Sequence, residues 1–196
     1  MTARIGVFPN TVPPVWRIMP AARTVAAGGV IAYPTEAVYG LGCLPTDWPI
    51  RRLLHIKQRS PQKGLILVAA SIEQLLSFVV FPDEASRRQV QATWPGPVTW
   101  LLPARRGVSS WLTGSHTTLA VRVSAHPLVK TLCHYTGPLV STSANRAGAE
   151  PVRDAARLRA GLGRSLDYVL VGRVGDSRRP TAIRDATTGA LIRAGG

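Results

Sequence analysis

Every apolar run in this chain is short and is cut off by proline, glycine or a polar group. VIAYP occupies 30–34, LILVA 65–69, PVTWLLP 97–103, LAVRV 119–123, PLVSTS 138–143 and DYVLVG 167–172. None approaches the roughly 20 residues that a bilayer-spanning helix needs. Their length and punctuation are those of buried strands. The segments between them carry helix signals. A short helix is expected at 20–28, and a second from Asp47, which can cap it, with Pro49 in its first turn and Ile50, Leu53 and Leu54 as its apolar stripe. Pro61 disfavours helical geometry at Ser60, so that helix is expected to stop near Arg59. Ser71 with Gln74 reads as a capping box before a helix through Val79, and further helices are expected at 83–93, from His126 to Tyr135, and near 154–161. TAIRD and ALIRA flank Thr187-Thr188-Gly189 as a hairpin.

This irregular alternation of strands and helices predicts an α/β (α+β-like) fold, a twisted mixed sheet flanked by helices in a single domain. The 196 residues suit one core. Residues 1–20, with Pro9, Pro13, Pro14 and Pro20, read as an irregular N-terminal arm ahead of a domain over 21–196. No basic start followed by an apolar stretch and a cleavage site appears, so secretion is not expected. Cys43 and Cys133 lack metal-ligand spacing and read as free thiols of a reducing compartment.

Charge narrows the function. Lys plus Arg number 24 against 10 Asp plus Glu, a net charge of +14. All of these cations except Lys57, Lys63 and Lys130 are arginine. Base composition of the coding DNA can explain arginine over lysine, but not the imbalance of sign. An excess of this size attracts phosphates, on a nucleotide or on a nucleic acid. Ten acids are too few to make a carboxylate-built metal site expected, so no metal ligand is assigned and any Mg²⁺ would arrive on a nucleotide. A phosphate-binding loop of the G-x-x-x-x-G-K-[ST] type is missing, and Gly40-Leu41-Gly42 lacks the third glycine of a dinucleotide fingerprint. His55, His116, His126 and His134 are scattered and read as surface or packing residues.

The positive signals are polar residues where strands end. Thr35, Glu36, Tyr39 and Gly40 follow the first strand, where ligands of open sheets collect, although a plain turn explains them equally well. Lys57, Arg59 and Lys63 surround a helix end. They either neutralise its carbonyls or, if the helix ends at Lys57, converge on a phosphate. Arg122 shares a strand face with Thr118 and Ala120, opposite Leu119, Val121 and Val123. It either forms a structural ion pair or faces a cavity that receives an anion. Ser141, Ser143 and Asn145 alternate onto one face beyond Leu139-Val140, as a polar ligand site or as a hydroxyl-based turn.

In order along the chain stand GVIAYPTEAVYGLGC (29–43), KQR (57–59), KGLIL (63–67), WPGPVT (94–99), LAVRV (119–123), PLVSTSAN (138–145), PTAIRDATTG (180–189) and IRAG (192–195). This set resembles the YrdC/TsaC family of threonylcarbamoyl-AMP synthases over residues 22–195, in its single-domain bacterial form. The resemblance implies a YrdC-like sheet around a deep basic cavity. It implies cavity-lining catalytic roles for Lys57, Arg59, Ser143 and Asn145, and ATP contacts for Arg59, Lys63, Thr118, Ser141, Asn145 and Arg193. For threonine it implies Thr35, Arg122, Ser143 and Thr181. Ser60 stands where proline is usual, and Arg146-Ala147-Gly148 where Leu-Ser-Gly is usual.

The activity so implied joins L-threonine, bicarbonate or CO2, and ATP into threonylcarbamoyl-AMP and pyrophosphate. ATP is a substrate, with no permanent cofactor. The location implied is cytoplasmic, off the membrane, upstream of a transferase complex that modifies tRNA adenosine beside the anticodon. Two other readings stand beside it. One is a double-stranded RNA or tRNA-binding protein of the same fold, suggested by the charge. The other is a carbamoyl-phosphate-using domain of a hydrogenase-maturation protein, whose zinc-finger and acylphosphatase segments the sequence lacks.

Overall fold

The computed structural model describes residues 14–177 and 181–195. Among these, nine strands form one mixed sheet: β1 (Ile31–Pro34), β2 (Tyr39–Cys43), β3 (Ile66–Ala69), β4 (Val98–Pro103), β5 (Thr118–Val123), β6 (Leu139–Ser143), β7 (Tyr168–Val169), β8 (Ala182–Asp185) and β9 (Leu191–Arg193). Their spatial order is β7-β1-β2-β6-β3-β5-β4-β8-β9. β1 pairs with β7, β3 with β5 and β4 with β8 in parallel, and the remaining neighbours run antiparallel. β6, late in the chain, is inserted between β2 and β3, so residues from distant stretches of sequence become neighbours.

Helices cover the sheet on both sides. α1 (Val15–Ala26) turns Ile18, Ala21, Ala22 and Val25 inward, at helical spacing. α5 (Pro127–Thr136) contributes Leu128, Val129, Leu132 and Cys133 to the same cluster, over Ile31, Tyr33, Val68 and Leu139. The second and larger core takes the opposite side chains of these strands, Val30, Ala32, Leu67, Ala69 and Val140, against α2 (Asp47–Lys57) and α4 (Ser110–Thr113). α3 (Glu84–Gln91) adds Val90 and α6 (Ala155–Gly161) adds Leu158. Strand alternation thus fills two cores with adjacent residues.

Several local expectations change. The first helix starts at Val15 rather than residue 20, so 15–20 are helical; residues 1–13 of the expected arm lie outside the described ones. Pro20 is accommodated one turn and a half into α1. The Ser71–Val79 helix is reduced to a single 3₁₀ turn, Glu73–Leu75. Its Gln74 reaches back as a capping glutamine would, with Oε1 accepting from Ala70 N–H at 2.9 Å, while Nε2 donates to the Cys133 carbonyl at 2.9 Å and anchors the turn to α5. The α2 N-cap is Thr46, with Asp47 in the first turn. The tail hairpin forms as expected: Asp185 accepts from the N–H groups of Thr187 and Thr188, and Gly189 takes φ +72°. No helix of the described residues is long and apolar enough to cross a membrane.

Candidate active site

α1 and α5 cover only part of their sheet face. Further along the same strand faces, β6 turns Ser141 and Ser143 outward after Leu139, β5 presents Thr118, Ala120 and Arg122, and β3 presents Ile66. Register aligns these groups, because Ile66 is paired both with Ser141 and with Ala120. Over this uncovered stretch lies a cavity of about 420 Å³. Gly40 belongs to its wall because a Cβ there would come within 3.0 Å of Thr35 Cγ2 and 3.5 Å of Ser141 Oγ. Gly42, two residues on, gives way to the Tyr33 ring, which a Cβ would meet at 2.6 Å. The glycines of Gly40-Leu41-Gly42 thus clear space for a cavity and a packed ring.

One end of the cavity is built on a buried ion pair. Arg122 Nη2 donates to Glu36 Oε2 at 3.0 Å, with side chains 7% and 12% exposed. Ser124 Oγ donates to Glu36 Oε1 at 2.5 Å and accepts from His126 N–H at 3.1 Å. Burial opposes ionisation of Glu36, but the Arg122 guanidinium and the Ser124 hydroxyl outweigh it and hold the carboxyl below the usual range. Arg122 thus forms an ion pair and also lines the cavity. Its Nε is buried and has no hydrogen-bond partner among the described residues. Thr35 sits beside it in a tight turn, N–H and Oγ1 both donating to the Val38 carbonyl at 3.0 and 2.8 Å.

The other end carries cations. α2 ends at Lys57 because Gln58 takes the left-handed conformation, φ +52°, which reverses the chain. Arg59 thereby enters the cavity wall, Nη2 donating to the Gly64 carbonyl at 3.0 Å, with Nε buried and without a partner among the described residues. Ser60 caps the following 3₁₀ turn, Pro61–Lys63, which brings Lys63 to the wall. β9 brings Arg193, whose Nη2 donates to the Thr181 carbonyl at 2.9 Å; Thr181 Oγ1 lies 3.0 Å from Thr99 Oγ1. Burial, and then the nearby Arg122 charge, lower the pKa of Arg193. Neither Arg59, Lys63 nor Arg193 has a carboxylate within ion-pair distance among the described residues.

Thr35, Arg59, Lys63, Thr118, Arg122, Ser141, Ser143, Thr181 and Arg193 therefore meet around one cavity. Lys57 and Asn145, expected in the wall, stand behind it. Lys57 continues the buried stripe of Ile50, Leu53 and Leu54, is 3% exposed, and donates from Nζ to the carbonyls of Ser143 and Asn145, the latter at 2.8 Å. Burial and then the neighbouring Arg59 lower its pKa to about 8. β6 ends at Ser143, so alternation does not extend to Asn145, whose Nδ2 instead donates to the carbonyls of Arg146 and Ala149 at 3.0 and 2.6 Å. The loop's Ala147 N–H in turn donates to the Lys57 carbonyl at 2.9 Å.

Three features in or behind the wall were not assigned a site role from the sequence. Glu36 was visible at the strand end, but its partner is 86 residues away. His116 is exposed yet lines the cavity. Arg153 carried no signal at all. It donates to the Ala37 carbonyl, to Ser177 O at 2.8 Å and to Gly175 O at 3.2 Å, bracing the Thr35–Val38 wall against the segment that leads toward Thr181.

A family model for Sua5, YciO and YrdC proteins, described as "Telomere recombination", matches residues 23–195. The chain belongs to the Sua5/YciO/YrdC family. It is 52% identical to the threonylcarbamoyl-AMP synthase of Nitrosococcus oceani over 182 residues, covering 92% of this chain and 98% of that protein. This Sua5/YciO/YrdC chain also superimposes on Pyrococcus abyssi (P. abyssi) Sua5 in complex with L-threonine with a TM-score of 0.87 at 29% identity, covering 93% of this chain and 55% of the longer one. Escherichia coli (E. coli) YciO gives 0.82 at 28% identity, covering 93% and 91%.

Proposed function

We propose that this chain is a threonylcarbamoyl-AMP synthase, a nucleotidyltransferase that forms L-threonylcarbamoyladenylate and pyrophosphate from L-threonine, bicarbonate or CO2, and ATP. The observation that carries this reading is the asymmetric cavity, with a neutralised arginine among hydroxyls at one end and unpaired cations at the other. Threonine fits the first end. Its carboxylate would lie on Arg122, whose planar fork suits a carboxylate better than lysine does, with Thr35, Ser143 and Thr181 as its further contacts. The triphosphate fits Arg59 and Lys63 beside Thr118, with Ser141 one register row nearer Arg122 and Arg193 reaching in from beside Thr181. The named function of the relatives favours this enzyme over an RNA-binding module of the same fold.

The free amine of threonine would add to the carbon of CO2 and pass its proton to water, giving an N-carboxylate; starting from bicarbonate, that proton leaves with the displaced hydroxide as water. A carboxylate oxygen would then attack the α-phosphorus of ATP as the bond to the bridging oxygen breaks and pyrophosphate leaves. Negative charge gathers on phosphate oxygens, so rate would come from positioning and from fixed cations rather than from a protein nucleophile. Lys57 would act from behind, holding the turn that carries Ser143 and Asn145. Mg²⁺ would arrive on the nucleotide, and the reaction as written calls for no permanent cofactor. The mixed anhydride is prone to hydrolysis, which suits an enclosed site and prompt transfer in the cytoplasm to a complex that modifies tRNA.

The test is pyrophosphate release by purified protein. Release that requires ATP, threonine and bicarbonate together is expected. Its absence with all three present overturns the assignment.

A further inference from the structure

Glu36 is the single carboxylate in the cavity wall among the described residues, against Arg59, Lys63, Arg122 and Arg193. Its placement is unequal. It pairs with Arg122 at 3.0 Å and leaves the other three without a carboxylate partner among the described residues. Both of its oxygens are occupied, Oε2 by Arg122 and Oε1 by Ser124, which suits a structural counter-charge and not a proton acceptor. Ser124 is fully buried and is tied to the start of α5 through His126 N–H, so the carboxylate is fixed from behind.

We propose that Glu36 is a specificity-determining residue that sorts the two substrates, cancelling the charge of Arg122 so that this end of the cavity takes a zwitterionic amino acid and refuses phosphate. The inference rests on the function proposed above. A bare arginine in a half-enclosed cavity already lined by three other cations would be a strong phosphate site. Triphosphate or released pyrophosphate would then compete for the threonine position. An Arg–Glu pair is net neutral, so a polyanion entering there loses hydration without a net Coulombic gain. A zwitterion loses less, because its carboxylate meets Arg122 while its ammonium faces the field of Glu36. Arg59, Lys63 and Arg193, which have no carboxylate partner among the described residues, keep the full attraction for the triphosphate.

Glu36→Gln tests this, since the amide keeps the shape and one acceptor oxygen while removing the charge. In pyrophosphate-release kinetics the KM for threonine is expected to rise about tenfold, as for the loss of one charge-assisted contact, with the KM for ATP changing less than about threefold. The decisive reading is inhibition by inorganic phosphate. It should become competitive with threonine in Glu36→Gln, whereas in the unsubstituted protein it competes only with ATP. Ser124→Ala, which keeps the charge and loses a hydrogen bond, should raise the threonine KM without creating the phosphate competition. A structural role alone would affect both variants alike. Should Glu36→Gln prove unfolded by its melting curve, Glu36→Asp, which keeps the charge, must retain the unsubstituted inhibition pattern. If threonine-dependent turnover is present in the unsubstituted protein but phosphate never competes with threonine in Glu36→Gln, or does so already in the unsubstituted or Glu36→Asp protein, the sorting role is overturned. If the unsubstituted protein shows no such turnover, it is the proposed function that fails.

Discussion

Two ion pairs among the described residues join an arginine to a carboxylate far away in sequence, and they do opposite work. Arg122–Glu36, 86 residues apart, is buried in the cavity wall. Arg52–Asp167, 115 residues apart, lies nearer the surface, with side chains 30% and 33% exposed. By contact geometry the outer pair is the better made: both Arg52 nitrogens reach Asp167, whose Oδ2 also accepts from Val30 N–H at 2.7 Å. Yet water and salt screen it, and exposed pairs of this kind contribute at most about 1 kcal/mol. The buried pair is incomplete, with Arg122 Nε unpartnered. The buried pair also lines the cavity, while the outer pair ties α2 to the segment before β7.

The largest effect is expected at the buried pair. Arg122→Lys keeps the charge for Glu36 but loses the planar fork, and threonine kcat/KM should fall by about 10²–10³, the range of losing a charge-assisted bidentate contact. Varying threonine against varying ATP in the pyrophosphate assay separates this from a general loss of activity. Arg122→Ala, which strands a buried carboxylate, should additionally cost about 3–5 kcal/mol of stability in urea titrations.

A smaller effect is expected behind the wall. With its pKa lowered to about 8, Lys57 is charged below that pH and loses its proton above it, weakening its hold on the Ser143 and Asn145 carbonyls. A decline of kcat above about pH 8 is therefore expected in the unsubstituted protein. Lys57→Met should be about 10–100-fold slower, the range for misplaced reacting groups, and should lack that limb. A pH profile of the variant parallel to the unsubstituted one would break the connection.

Gly42→Ala should act on packing alone. The new methyl meets the Tyr33 ring at 2.6 Å and the Val140 carbonyl at 2.9 Å, so a destabilisation of about 1–3 kcal/mol is expected by thermal unfolding. The smallest effect belongs to the outer pair. Arg52→Ala should lose less than about 1 kcal/mol, an amount that shrinks further in high salt, with unchanged kinetics. A loss at Arg52 as large as at Arg122 would erase the distinction between the two pairs.

The contrast also marks what the sequence could reveal. Strand faces are local, so the short apolar runs placed Ser141, Ser143 and Arg122 on the faces that now line the cavity. The motif order brought in Thr35, Arg59, Lys63 and Arg193. What was not legible depends on where chain segments go. That Glu36 would meet Arg122 follows from a loop folding over the end of β5, and no spacing encodes it. Lys57 was misplaced into the wall even though its spacing from Ile50, Leu53 and Leu54 puts it on the buried stripe, because its charge suggested a ligand contact. Asn145 was misplaced because alternation was carried past the end of β6. The 3₁₀ turn at Glu73–Leu75 is anchored to α5 through Gln74 Nε2, a tertiary contact that the local capping pattern does not encode.

The most direct measurement is a crystal structure of the protein with L-threonine and a non-hydrolysable ATP analogue bound together. The expected result has the threonine carboxylate about 3 Å from the Arg122 guanidinium, with the triphosphate on Arg59, Lys63 and Arg193. Phosphate oxygens on Arg122, or threonine bound away from the Glu36–Arg122 pair, would contradict the division of the cavity into an amino-acid end and a phosphate end.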